Sequence, residues 1–369
     1  MASTLAEIKD VIRAGKTERA LADLRDYVAA ARPAYVSEVT LLENRRAATE
    51  RENRQGLLLG DPYEARRNAL TRALLGLINQ IETAADPDAG AAAGPPPVHD
   101  YHAYTVDRVE QNDAFYRVHR RRETTDKCDF YYLYGGDLHE HELFFRRLAY
   151  DIEGRLLDPA NPDLPLACRV EQIVPTTIDF STDAELYRQN MLRAFFAKTG
   201  LQPDAHAPLL TRDLTYLLAN APRLQGLTAA DFVTVYFKIS DYEWDATLTP
   251  ATLRWFIEHF CQPVPLPVAA PTFLIFFAVE YDEEDAAIKA EIKTAVDAAE
   301  FIVPLPELAK LQQRDIGRWL ERYEMLFVPP QRPRTFLRDT FAREADHYMA
   351  DVHPILKKLI DEYNTRLIP

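Results

Sequence analysis

Three runs in this 369-residue chain are apolar almost without a break: Phe130–Tyr134, Phe232–Ile239 and Thr272–Val279. A strand with one wet face alternates apolar and polar residues. A near-continuous run marks a strand covered on both faces, as in a parallel sheet. The first strand is predicted to begin at Asp129, and further strands over Gln172–Phe180 and, briefly, Phe301–Val303. Helical periods fall after them, over His141–Arg155, Ala184–Lys198, Arg212–Asn220, Pro250–Phe260, Ala286–Ala299 and Asp315–Met325. Two more lie near Arg334–Met349 and Asp351–Asn364. Such alternation predicts a parallel sheet with helices on both faces.

This α/β region is preceded by something different. Residues 85–98 form a low-complexity linker of Ala, Gly and Pro with no apolar period. Residues 1–84 carry four helical patterns. Ser3 or Thr4 caps the first, which presents Leu5, Ile8, Val11 and Ile12; Thr17 caps the second, with Leu21, Leu24, Tyr27 and Val28. The third follows Pro33 with Val36, Val39 and Leu42. Asp61-Pro62 opens the fourth, whose stripe is Leu70, Leu74, Leu77, Ile78 and Ile81. Short connections between amphipathic helices predict a four-helix antiparallel bundle.

The first strand of the α/β region runs into Gly135-Gly136 and then a helix, which is the frame of a phosphate-binding loop. The pattern G-x-x-x-x-G-K-[ST] starts at Gly135 but then fails. Glu140 stands at the second glycine, His141 at the lysine and Glu142 at the magnesium-holding hydroxyl. A helix N-terminus draws anions, so two carboxylates there are expected to repel a triphosphate. The run Phe232–Ile239 ends in a single acid, Asp241, where adjacent acids would hold magnesium. The acidic run Glu280-Tyr281-Asp282-Glu283-Glu284 is expected to be a solvated helix cap. His139 and His141 with nearby acids offer a metal reading, but no third or fourth ligand is visible in sequence, so no metal is expected and the loop reads as a structural helix start.

The net charge of −14 disfavours nucleic acid as the main ligand. It is unevenly divided: residues 1–84 hold 13 Lys and Arg against 12 Asp and Glu, and the remainder 30 against 45. Cys128, Cys168 and Cys261 show no paired spacing, which argues against a disulfide framework and for a reducing, cytoplasmic setting. Cys128 reads as a small core residue. The N-terminus has no signal-peptide pattern, and the uncharged stretch Cys261–Val279 is broken by four prolines, so no membrane partner is expected. Local signatures for nucleophilic catalysis, metalloprotease or dinucleotide chemistry are absent.

Two resemblances follow from these segments. Leu41-Leu42 and the run Asn68-Ala69-Leu70-Thr71-Arg72-Ala73-Leu74-Leu75-Gly76-Leu77-Ile78 resemble an effector-associated domain of the eleventh class, although Ala69 stands where that family often has arginine. These are death-fold-like helical adaptors of bacterial conflict and immune systems. Residues 99–369 resemble the inactive STAND module, a degenerate relative of signal-transducing P-loop ATPases. The resemblance rests on Phe130–Gly136 leading into Leu143–Leu148, on Phe273–Val279 followed by Glu280-Tyr281, and on Leu305-Pro306-Glu307-Leu308 before Asp315–Leu320. It extends to the ending Val352–Asn364. The resemblance implies a multidomain α and α/β chain: a four-helix death-like bundle followed by a P-loop-NTPase-like sheet. It also implies a non-enzymatic adaptor without cofactors, whose α/β module senses or docks a partner while the helical module recruits an effector carrying a similar module. Homo-oligomerisation fits the same picture.

The helical module carries Arg45, Arg46, Arg51, Arg54, Arg66, Arg67 and Arg72, with Glu38, Glu43, Glu50 and Glu52 on neighbouring turns. These read either as opposite-sign faces that mate between copies, for which Arg45, Arg46, Arg66, Arg67, Glu43 and Glu50 are the candidates, or as helix-surface pairs. Two other functions compete with the adaptor: a nucleotide-dependent STAND-type switch ATPase with a non-standard phosphate loop, and a self-oligomerising scaffold.

Overall fold

The computed structural model describes residues 4–13, 16–32, parts of 35–81, 96–106, 108–121, 127–156, 166–202, 208–328, 331–341 and 346–367. The chain divides into two compact units at Pro96–Pro97. The first is helical: α1 (Leu5–Arg13), α2 (Thr17–Ala31), then helical residues recurring over 36–50 and 70–81. Thr4 caps α1 reciprocally with Glu7, each side chain accepting from the other's backbone N–H. Thr17 is already inside α2 and does not cap it; Lys16 precedes the helix without a side-chain bond. All four predicted stripes feed one core, with Ile8, Leu24, Val28, Val39, Leu74 and Ile78 fully shielded. The expected start at Asp61-Pro62 lies outside the described residues.

The second unit is built on five parallel strands: β1 (Cys128–Gly136), β2 (Val170–Thr177), β3 (Phe232–Ser240), β4 (Thr272–Tyr281) and β5 (Val303–Pro304). Their order is β2-β3-β4-β1-β5. All ten residues of β4 are buried, as its unbroken apolar run requires. Pro175 lies in the edge strand β2, where the pairing with β3 shifts register between Ile173 and Thr176. An edge position accommodates a residue that has no N–H to donate.

The crossovers decide which face each helix covers. From β1 the chain travels through α4 (His141–Glu153) across the sheet to β2. Every later step runs back the other way, through α5 (Ala184–Lys198), α6 (Leu214–Asn220), α7 (Leu248–Trp255) and α8 (Ala286–Asp297). Right-handed crossovers in opposite directions put helices on opposite faces. Accordingly Tyr131, Leu133 and Phe276 pack on Phe144, Phe145 and Leu148 of α4, and on Phe115 of α3 (Val109–His119). Tyr132, Phe237, Ile275 and Phe277 pack on Phe195, Leu217, Leu253 and Ile292 of the other set. Gly154, in the left-handed region at φ 83°, ends α4 two residues short of the predicted Arg155. The predicted helix Pro250–Phe260 is α7 running into a π-turn over Phe256–Cys261.

A separate apolar cluster forms a helical layer from α9 (Gln313–Arg322), α10 (Pro333–Thr340), α11 (Met349–Leu367) and the 3-10 turn Asp100–Thr105. Trp319 and Tyr323 anchor it around His102, whose Nδ1 lies 2.9 Å from the Tyr323 hydroxyl. The turn and α3 escape a reading by apolar period: α3 buries Phe115 but also Gln111, which donates to the Glu307 carbonyl at 2.8 Å.

Candidate functional site at the carboxyl end of the sheet

In open α/β sheets, ligands bind beyond the strands' carboxyl ends where successive connections diverge. Here that place is between β1 and β4, whose crossovers leave in opposite directions. The loop after β1 and the acidic run after β4 therefore face each other by topology. Gly135 bridges to Leu308, and a side chain on Gly135 would meet the Leu308 backbone oxygen at 2.9 Å. A Cβ on Gly136 would lie 2.5 Å from Cγ of Glu283. The missing side chain thus lets a carboxylate settle against the loop.

Glu283 is fixed there from two sides. His139 Nε2 is 2.6 Å from its Oε1, and the Tyr348 hydroxyl donates to its Oε2 at 2.8 Å. A carboxylate only accepts, so Nε2 of His139 carries the proton. Burial pushes the Glu283 carboxyl up, but the bonds from His139 and Tyr348 outweigh it and hold the group below its ordinary value. Burial also depresses His139, so a neutral imidazole serves an ionised carboxylate. Arg108 donates to the carbonyls of His139 and Ala309 and pins the loop. Lys310 lies 4.2 Å over the Tyr348 ring.

The sequence-predicted residues sit alongside. Glu140 adopts a left-handed conformation, φ 54° and ψ 60°, and precedes α4 without a side-chain cap. Burial raises its carboxyl, helped by Glu280 and Glu142. Glu142 pairs with Arg146 one turn on at 2.7 Å. His141 is buried, with no hydrogen-bond partner on either ring nitrogen, and burial keeps it well below the ordinary imidazole value. Glu280 is 8% exposed, takes the Tyr236 hydroxyl at 2.9 Å and pairs with Lys238 at 2.6 Å. Asp241 accepts from the Asp282 backbone at 3.1 Å.

One expectation changes here. The acidic run at the end of β4 is a solvated approach to a helix only at Asp282 and Glu284, which are exposed. Glu280 and Glu283 turn inward, and it is Asp285 that caps α8, accepting from Ala287 and Ile288. His139 is committed to Glu283, and among the described residues no three potential metal ligands converge. Tyr348, Lys238, Lys310 and Arg108 were not legible as site residues. Nothing local in sequence marks Tyr348, which is brought 65 positions along the chain to Glu283.

In the helical unit, Arg46 pairs with Glu18 at 3.0 Å and Glu43 with Arg25 at 3.4 Å, so these two candidates link helices within the module. Glu50 lies in a helix; Arg45, Arg66 and Arg67 lie outside the described residues.

Residues 3–82 match the family model of effector-associated domain 11, and residues 103–279 that of inactive STAND. The chain therefore carries an effector-associated domain followed by an inactive STAND domain. The second match runs through β1, β2 and β3 to Val279 in β4 and stops before Glu280, Glu283 and helices α9 to α11. No curated protein matches the chain. Among solved structures, the Aeropyrum pernix ORC2 protein, in its ADPNP-ADP complexes, is similar at 15% identity over 75% of this chain and 70% of that one, with a TM-score of 0.40. No described helix is long and apolar enough to cross a membrane.

Proposed function

We propose that this chain is a non-enzymatic signalling adaptor of a bacterial conflict or antiviral defence system. The inactive STAND domain docks a sensed partner, and the death-like helical domain recruits an effector that carries a similar domain. Effector chemistry resides in that second protein. The observation that carries this reading is the Glu283 carboxylate packed against Gly136 and held by His139. The chain's own anion takes the position beside the loop that a nucleotide phosphate would need. Glu140 and Glu142 stand where the phosphate-binding pattern has glycine and hydroxyl, which puts carboxylates at the start of α4 in place of groups that hold a triphosphate.

The test is recovery of partners from native cytosol with the full chain, read by mass spectrometry, beside the double variant Arg66→Glu, Arg67→Glu. The wild type is expected to bring down a protein that has its own small helical domain fused to an enzyme, and the variant to lose it. Recovery of the chain alone favours the self-oligomerising scaffold. Saturable binding of ATP with magnesium by calorimetry favours the nucleotide switch instead.

A further inference from the structure

The helical layer and the sheet have separate apolar cores, and Leu143 of α4 packs against that of the layer. Arg108 and Arg322 cross it to backbone carbonyls, and the ring of Tyr101 stacks on Tyr150 at 4.7 Å. A further crossing point is the loop after β1. There Tyr348, one residue before α11, reaches Glu283, and its ring lies 5.4 Å from that of His139. Lys310, just before α9, lies over the Tyr348 ring as well.

The geometry points to a latch: His139 and Tyr348 form a carboxylate seat that Glu283 occupies in cis, and this holds the helical layer closed on the sheet without any nucleotide. Glu283, two residues beyond β4, joins the parts of the junction: it meets the β1 loop at Gly136 and His139 and the helical layer at Tyr348. A phosphate bridging two domains does the same work by accepting bonds from both; here the acceptor is covalently part of the sheet. An ionised acceptor makes the stronger kind of hydrogen bond, and it cannot dissociate. The layer beyond the seat keeps its own core of Trp319, Leu320, Val352 and Leu356, so release of Glu283 frees the paired segments that carry Lys310 and Tyr348 without unfolding that core. This rests on the adaptor reading only in naming the module whose state is set; the latch itself is a claim about closure.

Hydrogen–deuterium exchange on the full chain tests it. The reporters are the amides of Leu311 and His347, each bonded to the other's carbonyl at 2.8 Å and adjacent in sequence to Lys310 and Tyr348. Glu283→Ala and Tyr348→Phe are each expected to speed their exchange roughly tenfold, the effect of losing a bond to a charged group. The amides of Phe273–Val279 in β4 are expected to keep wild-type protection, which shows that both variants fold. Magnesium ATP is expected to leave the wild-type rates unchanged. Unchanged rates at Leu311 and His347 in both variants would overturn the latch, as would a slowing of the wild type by ATP. The partner recovery described above is made with the latch intact, so either claim can fail without the other.

Discussion

Substituting Gly136 by alanine separates the backbone from the seat. Gly136 has φ −61° and ψ 150°, an extended conformation that alanine adopts freely. On the backbone alone, Gly136→Ala should stabilise by about 0.4 to 1 kcal/mol, because the unfolded chain loses freedom. The added Cβ, however, would lie 2.5 Å from Cγ and 2.9 Å from Cδ of Glu283, so the carboxylate must leave. That breaks its bonds to His139 and Tyr348, each worth about 1 to 2 kcal/mol for a partly exposed acceptor. The net expectation is a loss of about 1 to 3 kcal/mol. Adding the change to Glu283→Ala should instead be neutral or stabilising, since no carboxylate remains to displace. A double-mutant cycle in urea reads the coupling, and tryptophan fluorescence is the right probe because Trp244, Trp255 and Trp319 all lie in the C-terminal unit. If Gly136→Ala stabilises in both backgrounds, Glu283 is not seated against the loop.

Further outcomes follow from the same structure. Phe276 stacks on Tyr131 at 5.0 Å and meets Phe145 edge-on at 5.4 Å, so Phe276→Ala is expected to cost about 3 to 5 kcal/mol in the same urea assay. Burial, with Arg322 and His99 adding to it, lowers His102 from 6.5 to about 4. A depressed folded value means the unfolded chain takes the proton first, so stability present above pH 6.5 falls as the pH drops towards 4. His102→Asn should flatten that part of the urea-midpoint profile. Arg46→Glu loses a surface pair with Glu18, and thermal unfolding is expected to register less than about 1 kcal/mol.

The sheet was legible because buried parallel strands are written as apolar runs, and Phe130, Phe232 and Thr272 each stand within two residues of an observed strand start. Helix α5 was legible to the residue because Asp183 caps it through Glu185 and Leu186 and its apolar period is regular. By contrast α3 was missed, since a buried glutamine interrupts the pattern that marks a core-facing helix. The site was half legible. Gly135, Gly136 and the acids after β4 stand out locally, but the contact that gives Glu283 its meaning depends on a tyrosine from another layer. Tertiary pairing of this kind leaves no local period and no spacing. An acidic run at a strand end looks the same in sequence whether its members face water or a histidine.

The loop's departure from a phosphate-binding pattern has two independent parts, and this separates them experimentally. One part is in the loop: Glu140, His141 and Glu142 replace glycine, lysine and hydroxyl. The other is Glu283, which lies in the turn after β4 and is already seated. Restoring the pattern alone, as Glu140→Gly, His141→Lys and Glu142→Ser, removes two negative charges and adds one positive charge at the start of α4. It does not vacate the place beside Gly136. Calorimetry on this triple variant is therefore expected to show no saturable heat with millimolar magnesium ATP. Adding Glu283→Ala removes the competing carboxylate and is expected to give the first measurable binding, strengthened at low ionic strength because the gain is electrostatic. Binding by the triple variant without that fourth change would mean that the loop sequence alone excludes nucleotide and that the seated carboxylate has no part in it.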